Sequence, residues 1–361
     1  MSHPNTFTIE DLRRILLAGA GADENVDLNG DILDTEFELL GYESLALLET
    51  GSRIEREFGI SFDESVLMDV KTPRTLIDAV NAQLGGKAPT PAVAQATVET
   101  NGHSEAPLAL VSGATSGIGL AIARTLASNG HRVFIGARSA ENVAATVKQL
   151  LDEGFDVDGT ATDVRSGADI RYFVEAARNR YGTVDVLVNN AGRSGGGVTG
   201  EISDELWDDV MNTNLNSVFR LTREVLGAGG MRAKSRGRII NIASTAGKQG
   251  VVLGAPYSAS KHGVVGFTKA LGNELAATGI TVNAVCPGYV ETPMAQRVRQ
   301  GYAAAYDTSE EAIFEKFTAK IPLGRYSTPE EVAGLVNYLV TDSAASITAQ
   351  AINVCGGLGN F

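Results

Sequence analysis

Residues 108 to 127 read LALVSGATSGIGLAIARTLA. An apolar run of strand length meets a turn containing Gly113, Gly117 and Gly119, and apolar residues then recur at helical spacing. Glycines let the backbone turn this tightly and let its N–H groups approach an anion. The helix N-terminus that follows supports negative charge. Gly113, Thr115, Ser116, Gly117, Ile118 and Gly119 are therefore the expected pyrophosphate cradle. The spacing is GxxxGxG rather than GxGxxG, and glycines alone would equally suit a structural turn. The strand before and the helix after are the context that favours a dinucleotide site.

Outward from this stretch, strands and helices alternate. Strands are expected in LALVSG, HRVFIGA, DVLVNNAG, GRIINIAS, ITVNAVCPG and ITAQAINVCGG, with amphipathic segments such as VGFTKALGNELAATG between them. That pattern predicts an α/β fold with a doubly wound parallel sheet over residues 108–361. Residues 85–107 contain no aromatic residue and no leucine, and read as a flexible linker. At that length its root-mean-square span is roughly 25–30 Å. Residues 1–84 read as a small all-α bundle. TIEDLRRILLAGAG puts Ile9, Leu12, Ile15 and Leu16 on one face, with Thr8 as N-cap and Asp11 at the capping-box position. YESLALLETGSRIEREFGI and TPRTLIDAVNAQL supply two more helices.

The 361-residue chain has a net charge of −13, and residues 1–86 hold 17 acidic against 6 basic residues. Two modules with different partners are implied, and the acidic one repels nucleic acid. Cys286 and Cys355 are far apart, and His3, His103, His131 and His262 form no ligand spacing, so no metal is expected. The N-terminus has no apolar signal region and no run is long enough to span a bilayer, so a cytoplasmic protein is expected.

Five positions carry candidate chemistry. Arg138 stands nineteen residues after Gly119, where folds that prefer NAD keep an acidic residue. An arginine there suits a 2′-phosphate, so NADPH is expected over NADH. Tyr257 and Lys261 lie four apart on a predicted helix, which puts both on one face. The ammonium is expected to lower the phenol pKa, so that Tyr257 can protonate a ketone oxygen as hydride reaches carbon. Ser244, at the end of GRIINIAS, can hydrogen-bond that oxygen. Asn214 sits mid-helix in MNTNLNSVF, where Asn is unfavourable unless its amide is used, and Asn212 and Asn216 compete for the role.

Taken in order, SGATSGIG, NNAG, NTNL, IAS, YSASK and CPGYVETPM resemble the short-chain dehydrogenase/reductase family over residues 107–361. The resemblance implies a catalytic set of Asn214, Ser244, Tyr257 and Lys261. In that family the lysine also binds the nicotinamide ribose, and the asparagine holds a water in a proton relay. Asp163 and Val164 match positions beside the adenine. Asn190, Ala191 and Gly192 match the loop along the cofactor, and Pro287, Gly288, Val290 and Thr292 the nicotinamide-side loop. NNAGRSGGG, NIASTAGKQGVV, PYSASKHGVVGFTKAL and NVCGGLGNF further resemble aromatic polyketide ketoreductases of the actinorhodin type. That likeness implies a carrier-bound poly-β-ketone substrate and a lid over residues 294–320. It also implies substrate contacts from Ser194, Gly195, Gly196, Gln249, Met294 and Tyr302. Ser194 stands where this branch usually has Pro. A homotetramer is the usual assembly.

GYESLALLET resembles the GYDSLAL signature of aromatic polyketide acyl carrier proteins, with Glu43 in place of Asp. The resemblance implies 4′-phosphopantetheine on Ser44, where a helix N-terminus would favour the phosphate. Arg138, Arg165 and Arg193 are candidates for a basic entrance that docks the carrier domain or receives that phosphate. Two alternatives stand beside the polyketide reading: a fatty-acid type 3-oxoacyl reductase, and a carrier scaffold with an inert reductase part.

Overall fold

A computed structural model describes residues 106–359 apart from 235, residues 6–19 and 70–85, and part of the stretch between those two. The chain divides into two compact units, residues 1–99 and 100–361.

In the first unit, helix α1 (Ile9–Gly19) begins with the expected reciprocal cap. The Thr8 N–H donates to Asp11 Oδ2 at 3.1 Å and the Asp11 N–H to Thr8 Oγ1 at 3.4 Å. Leu12, Ile15 and Leu16 are buried, with Ile9 packed beside them. Helix α2 (Pro73–Gly85) adds Leu76 and Val80 to the same core. Asn81 joins the two helices: it accepts from the Phe7 N–H at 2.7 Å and donates to the Phe7 carbonyl at 2.8 Å. Of the middle expected helix, Thr50, Gly51, Arg53, Ile54, Glu57 and Phe58 are described and helical. Ser44 lies outside the described residues.

In the second unit, seven parallel strands pair in the order β3-β2-β1-β4-β5-β6-β7. They are β1 (Leu108–Ser112), β2 (Arg132–Ala137), β3 (Val157–Ala161), β4 (Val184–Asn189), β5 (Gly237–Ile242), β6 (Ile280–Pro287) and β7 (Ala351–Val354). One face is covered by α3 (Gly117–Ser128), α4 (Ala140–Asp152) and α11 (Pro329–Val340), the other by α5 (Gly167–Tyr181), α7 (Ser217–Leu226) and α8 (Ala255–Leu275). The remaining helices are α6 (Asp204–Met211), α9 (Pro293–Ala305) and α10 (Glu310–Thr318). The strand order reverses between β1 and β4, which opens a crevice at their carboxyl ends, the place where such sheets bind ligands.

Six of the seven strands follow the sequence reading. The seventh, β3, was not expected: VDGTA has one buried apolar residue, Val157, and lies at the sheet edge with its other side chains half-buried or exposed. The last strand is shorter than the apolar run starting at Ile347, because Ala349 takes a left-handed φ of 58° and breaks the extended backbone. Among the described residues no helix is long and apolar enough to cross a membrane.

Candidate active site

The glycine turn is built as a cradle. Gly113 has φ +66°, and a Cβ on Gly119 would overlap the Gly113 carbonyl and the Asn190 amide. Asn190 Nδ2 donates to the carbonyls of Ser112 and Gly113, each at 2.9 Å, which ties β4 to the turn. The Ser112 hydroxyl accepts from the N–H groups of Asn190 and Ala191, each at 3.1 Å. At the start of α3, Ser116 is the N-cap but makes no side-chain cap bond, so the helix N-terminus is not closed by its own chain. Such an end suits a phosphate. Opposite the turn, the β6–α9 loop brings Thr292 near Gly117, whose Cβ would lie 3.2 Å from the Thr292 methyl. Val290 pairs with Ser327 as an isolated bridge, and Thr292 caps α9 by accepting from the Ala295 N–H. Pro287 ends β6, with Gly288 directly after it.

Asp163 follows β3, its carboxylate gripped by Arg165, which holds it below the usual carboxylate range. Arg138 is exposed after β2 and adds to the same lowering through its charge. Val164 is buried beside them. Arg165 and Arg193 meet at one carboxylate, that of Asp209. These two arginines are thus brought together, with acidic partners.

A five-residue π-helical turn, Asn212–Asn216, interrupts the helix formed by α6 and α7. Such a turn is rare and often marks a functional position. It gives the three asparagines different surroundings. Asn216 donates to Asn212 at 2.9 Å, whereas Asn214 is fully buried and points at the site. Asn214 Oδ1 accepts from the Arg193 N–H at 2.8 Å; its Nδ2 donates to the Arg193 carbonyl at 3.0 Å and to Ser260 Oγ at 3.1 Å. Both amide hydrogens are spent, so any water it holds must sit on its oxygens. Ser260 in turn donates to the Tyr257 carbonyl at 2.8 Å, linking the asparagine to α8. Ser260 was not singled out from the sequence; its place three residues after the tyrosine was the available signal.

Tyr257 and Lys261 share one face of α8, with the ammonium 5.8 Å from the ring centre. Lys261 is buried and its Nζ donates to the Ile242 carbonyl at 2.8 Å. Gly192 lies against both catalytic candidates of this corner, since its Cβ would stand 3.3 Å from Asn214 Oδ1 and 3.6 Å from Lys261 Nζ. Ser244 follows β5 and caps a short 3-10 turn through the Ala246 N–H at 3.1 Å. The expected electrostatics need correction. Burial pushes the Tyr257 phenol up, and the counteracting influence is a hydrogen bond with Ser244, not the lysine charge. Burial also pushes Lys261 down to about 8. Desolvation is the largest cause of both shifts.

The expected substrate segments meet at two residues that the sequence did not flag, Val252 and Leu253. The Gly197 N–H donates to the Leu253 carbonyl at 2.9 Å, and a Cβ on Gly196 would overlap that same oxygen. Gly195 packs on Val210, and Ser194 receives the Arg193 guanidinium at its carbonyl. Tyr302 on α9 donates its hydroxyl to the Val252 carbonyl at 2.9 Å. Leu253 itself has φ 58°, unusual for a leucine. Met294 begins α9 half-buried, and Gln249 is half-buried after the 3-10 turn.

Comparison with known proteins agrees with this geometry. Residues 107–303 match the short chain dehydrogenase family, and residues 21–80 match the phosphopantetheine attachment site family. The protein named as ketoacyl reductase of the monensin polyketide synthase from Streptomyces virginiae is 76% identical over 259 residues, which cover 72% of this chain and 99% of that protein. The 3-oxoacyl-[acyl-carrier-protein] reductase of Escherichia coli is 40% identical over 70% of this chain and 98% of its own length. A solved structure of a variant actinorhodin polyketide ketoreductase with NADPH is 61% identical, superposes with a TM-score of 0.70, and covers 71% of this chain and 98% of that one. With its parallel sheet, glycine cradle and tyrosine–lysine helix, the chain belongs to the short-chain dehydrogenase family.

Proposed function

We propose that this chain is an NADPH-dependent polyketide ketoreductase with its own acyl carrier domain. It reduces one ketone of a poly-β-ketone held as a carrier thioester. The observation that carries the reading is the meeting of Asn214, Ser244, Tyr257 and Lys261 at the crevice that the glycine cradle opens. The chain's greater identity to the monensin-pathway protein than to the fatty-acid reductase favours a polyketide substrate.

The residues fit a dinucleotide: the Gly119 position admits no side chain, and the α3 N-terminus is not closed by its own cap. Gly113 to Gly119 would hold the pyrophosphate, Arg138 the 2′-phosphate, Asp163 and Val164 the adenine, Asn190 to Gly192 the ribose side, and Pro287 to Thr292 the nicotinamide side. When bound, NADPH supplies a hydride to the carbonyl carbon. The Tyr257 hydroxyl gives its proton to the carbonyl oxygen, so the ketone becomes an alcohol with atoms and charge balanced. Ser244 hydrogen-bonds the same oxygen as negative charge develops there. Lys261 holds positive charge beside the phenol. Asn214 fixes the Arg193 backbone, and with it the Ser194–Gly196 segment on which the substrate rests.

Ser44 is the proposed phosphopantetheine site, and the match over residues 21–80 supports it. Arg138, Arg165 and Arg193 remain candidates for receiving the phosphate of a carrier-borne chain, with Arg165 and Arg193 partly compensated by Asp209. A homotetramer is the proposed assembly, and the exposed Trp207 and Phe219 on α6 and α7 are consistent with a covered face. The test is intact-mass analysis with and without a phosphopantetheinyl transferase, followed by NADPH oxidation by the loaded protein. A mass gain that Ser44→Ala abolishes, and turnover of a bulky cyclic ketone above that of a short β-ketoacyl thioester, are expected. Reversed ketone preference would replace this reading with the fatty-acid type; no turnover of either would leave a carrier scaffold.

A further inference from the structure

Away from the catalytic residues, one buried charge joins segments with different duties. The Arg299 side chain, on α9, is 9% exposed. Its Nη1 and Nη2 donate to Glu291 Oε2 and Oε1 at 2.8 and 2.9 Å, a two-point fork. Its Nε donates to Glu310 Oε1 at 3.1 Å. The guanidinium also lies 5.2 Å from the Phe314 ring centre and 5.6 Å from that of Tyr326. Glu291 stands between Val290 and Thr292 in the nicotinamide-side loop, while Glu310 and Phe314 belong to α10. Tyr326 precedes Ser327, which accepts from the Glu291 N–H at 3.1 Å and donates to the Tyr289 carbonyl at 2.9 Å.

We propose that Arg299 is a positioning residue that couples the cofactor-side loop to the lid helices α9 and α10, so that the nicotinamide side of the site and the cover over the substrate are set by one clamp. The proposal rests on the ketoreductase reading given above. Three features of the clamp support coupling over simple stability. The buried guanidinium is held at all three of its nitrogens by carboxylates from two different segments, Glu291 and Glu310, which fixes its orientation. The planar fork addresses two carboxylates in fixed directions, which a lysine cannot do. The same helix carries Met294 at its start and Tyr302, whose hydroxyl reaches Val252 across the mouth. Displacing Arg299 therefore displaces the substrate wall as well as the loop.

The two carboxylates make the test specific, since each reports on one arm. In the full chain, Glu291→Gln is expected to raise KM for NADPH more than KM for a bicyclic ketone, and Glu310→Gln to do the reverse. Each preferred shift should be about tenfold, the scale of one charge-assisted hydrogen bond. Arg299→Lys, which keeps the charge and loses the fork, should raise both. Ligand-free hydrogen exchange gives a second readout: Arg299→Ala should speed exchange in residues 289–292, α9 and α10 together. Equal losses of thermal stability in all variants with no split between the two KM values would overturn the proposal. So would exchange in Arg299→Ala that speeds in α9 alone. If the wild type reduces no ketone, the ketoreductase reading fails, and the exchange pattern still decides the clamp.

Discussion

The Asn214 carboxamide pairs with the backbone of Arg193 at both its N–H and its carbonyl, at 2.8 and 3.0 Å. A side chain here does the work of a strand neighbour for an irregular loop. Asn214→Ala leaves both Arg193 groups without that partner, and each buried unpaired polar group costs about 1–3 kcal/mol. The expected result is a melting temperature several degrees lower and a kcat reduced about ten- to hundredfold. Asn214→Asp should recover part of the stability but not the activity, because a carboxylate cannot donate to the Arg193 carbonyl. Thermal melts and steady-state kinetics on both variants check this.

Tyr257 must be protonated to act as the acid, and burial holds its proton more tightly than in water. Ketone reduction by kcat/KM should therefore stay flat through neutral pH, fall first as Lys261 loses its charge at about 8, and fall again as the phenol ionises above its ordinary value of 10.0. A limb centred near neutrality would contradict this electrostatic account. Tyr257→Phe should lower kcat by about 10²–10⁴ and leave NADPH affinity, measured by fluorescence titration, close to the wild-type value.

Lys261 titrates at about 8 in the folded chain against 10.5 for the free group. Between those values the unfolded chain binds the proton that the folded chain has lost, so stability rises with pH across that window. Below about 8 both states are charged and the burial penalty is fully present. Lys261→Met should therefore be inactive yet more stable than the wild type at pH 7, by about 1–3 kcal/mol less the lost bond to Ile242. The gap should close by pH 10, as chemical denaturation at several pH values would reveal.

Arg138 is exposed and near enough to Asp163 for its charge to act there. Arg138→Asp should weaken NADPH binding about ten- to hundredfold and leave NADH binding unchanged or improved. Calorimetric titration with both nucleotides is the measurement, and an unchanged preference would refute the assignment.

The parts of the fold that were legible are those with local signals. The glycine turn, the apolar strands and the Thr8–Asp11 cap follow from residue types at fixed spacing. Strand β3 was illegible because an edge strand with one buried apolar residue has no periodicity to read. The burial of Asn214 apart from its neighbours depends on the π turn, which changes helical phase and has no spacing signature. The Tyr257–Lys261 pair was legible as geometry but not as electrostatics, since burial is a property of the whole fold. Arg299 and Leu253 were invisible for a similar reason: their partners are brought in by tertiary packing.

The Tyr302 hydroxyl fastens to a main-chain oxygen at Val252, whose own side chain is 76% exposed. The fastening is thus indifferent to which amino acid occupies that position. Swapping that one side chain would reshape the surface beside Tyr302 while the latch itself stays shut, so this spot can vary without unfastening α9.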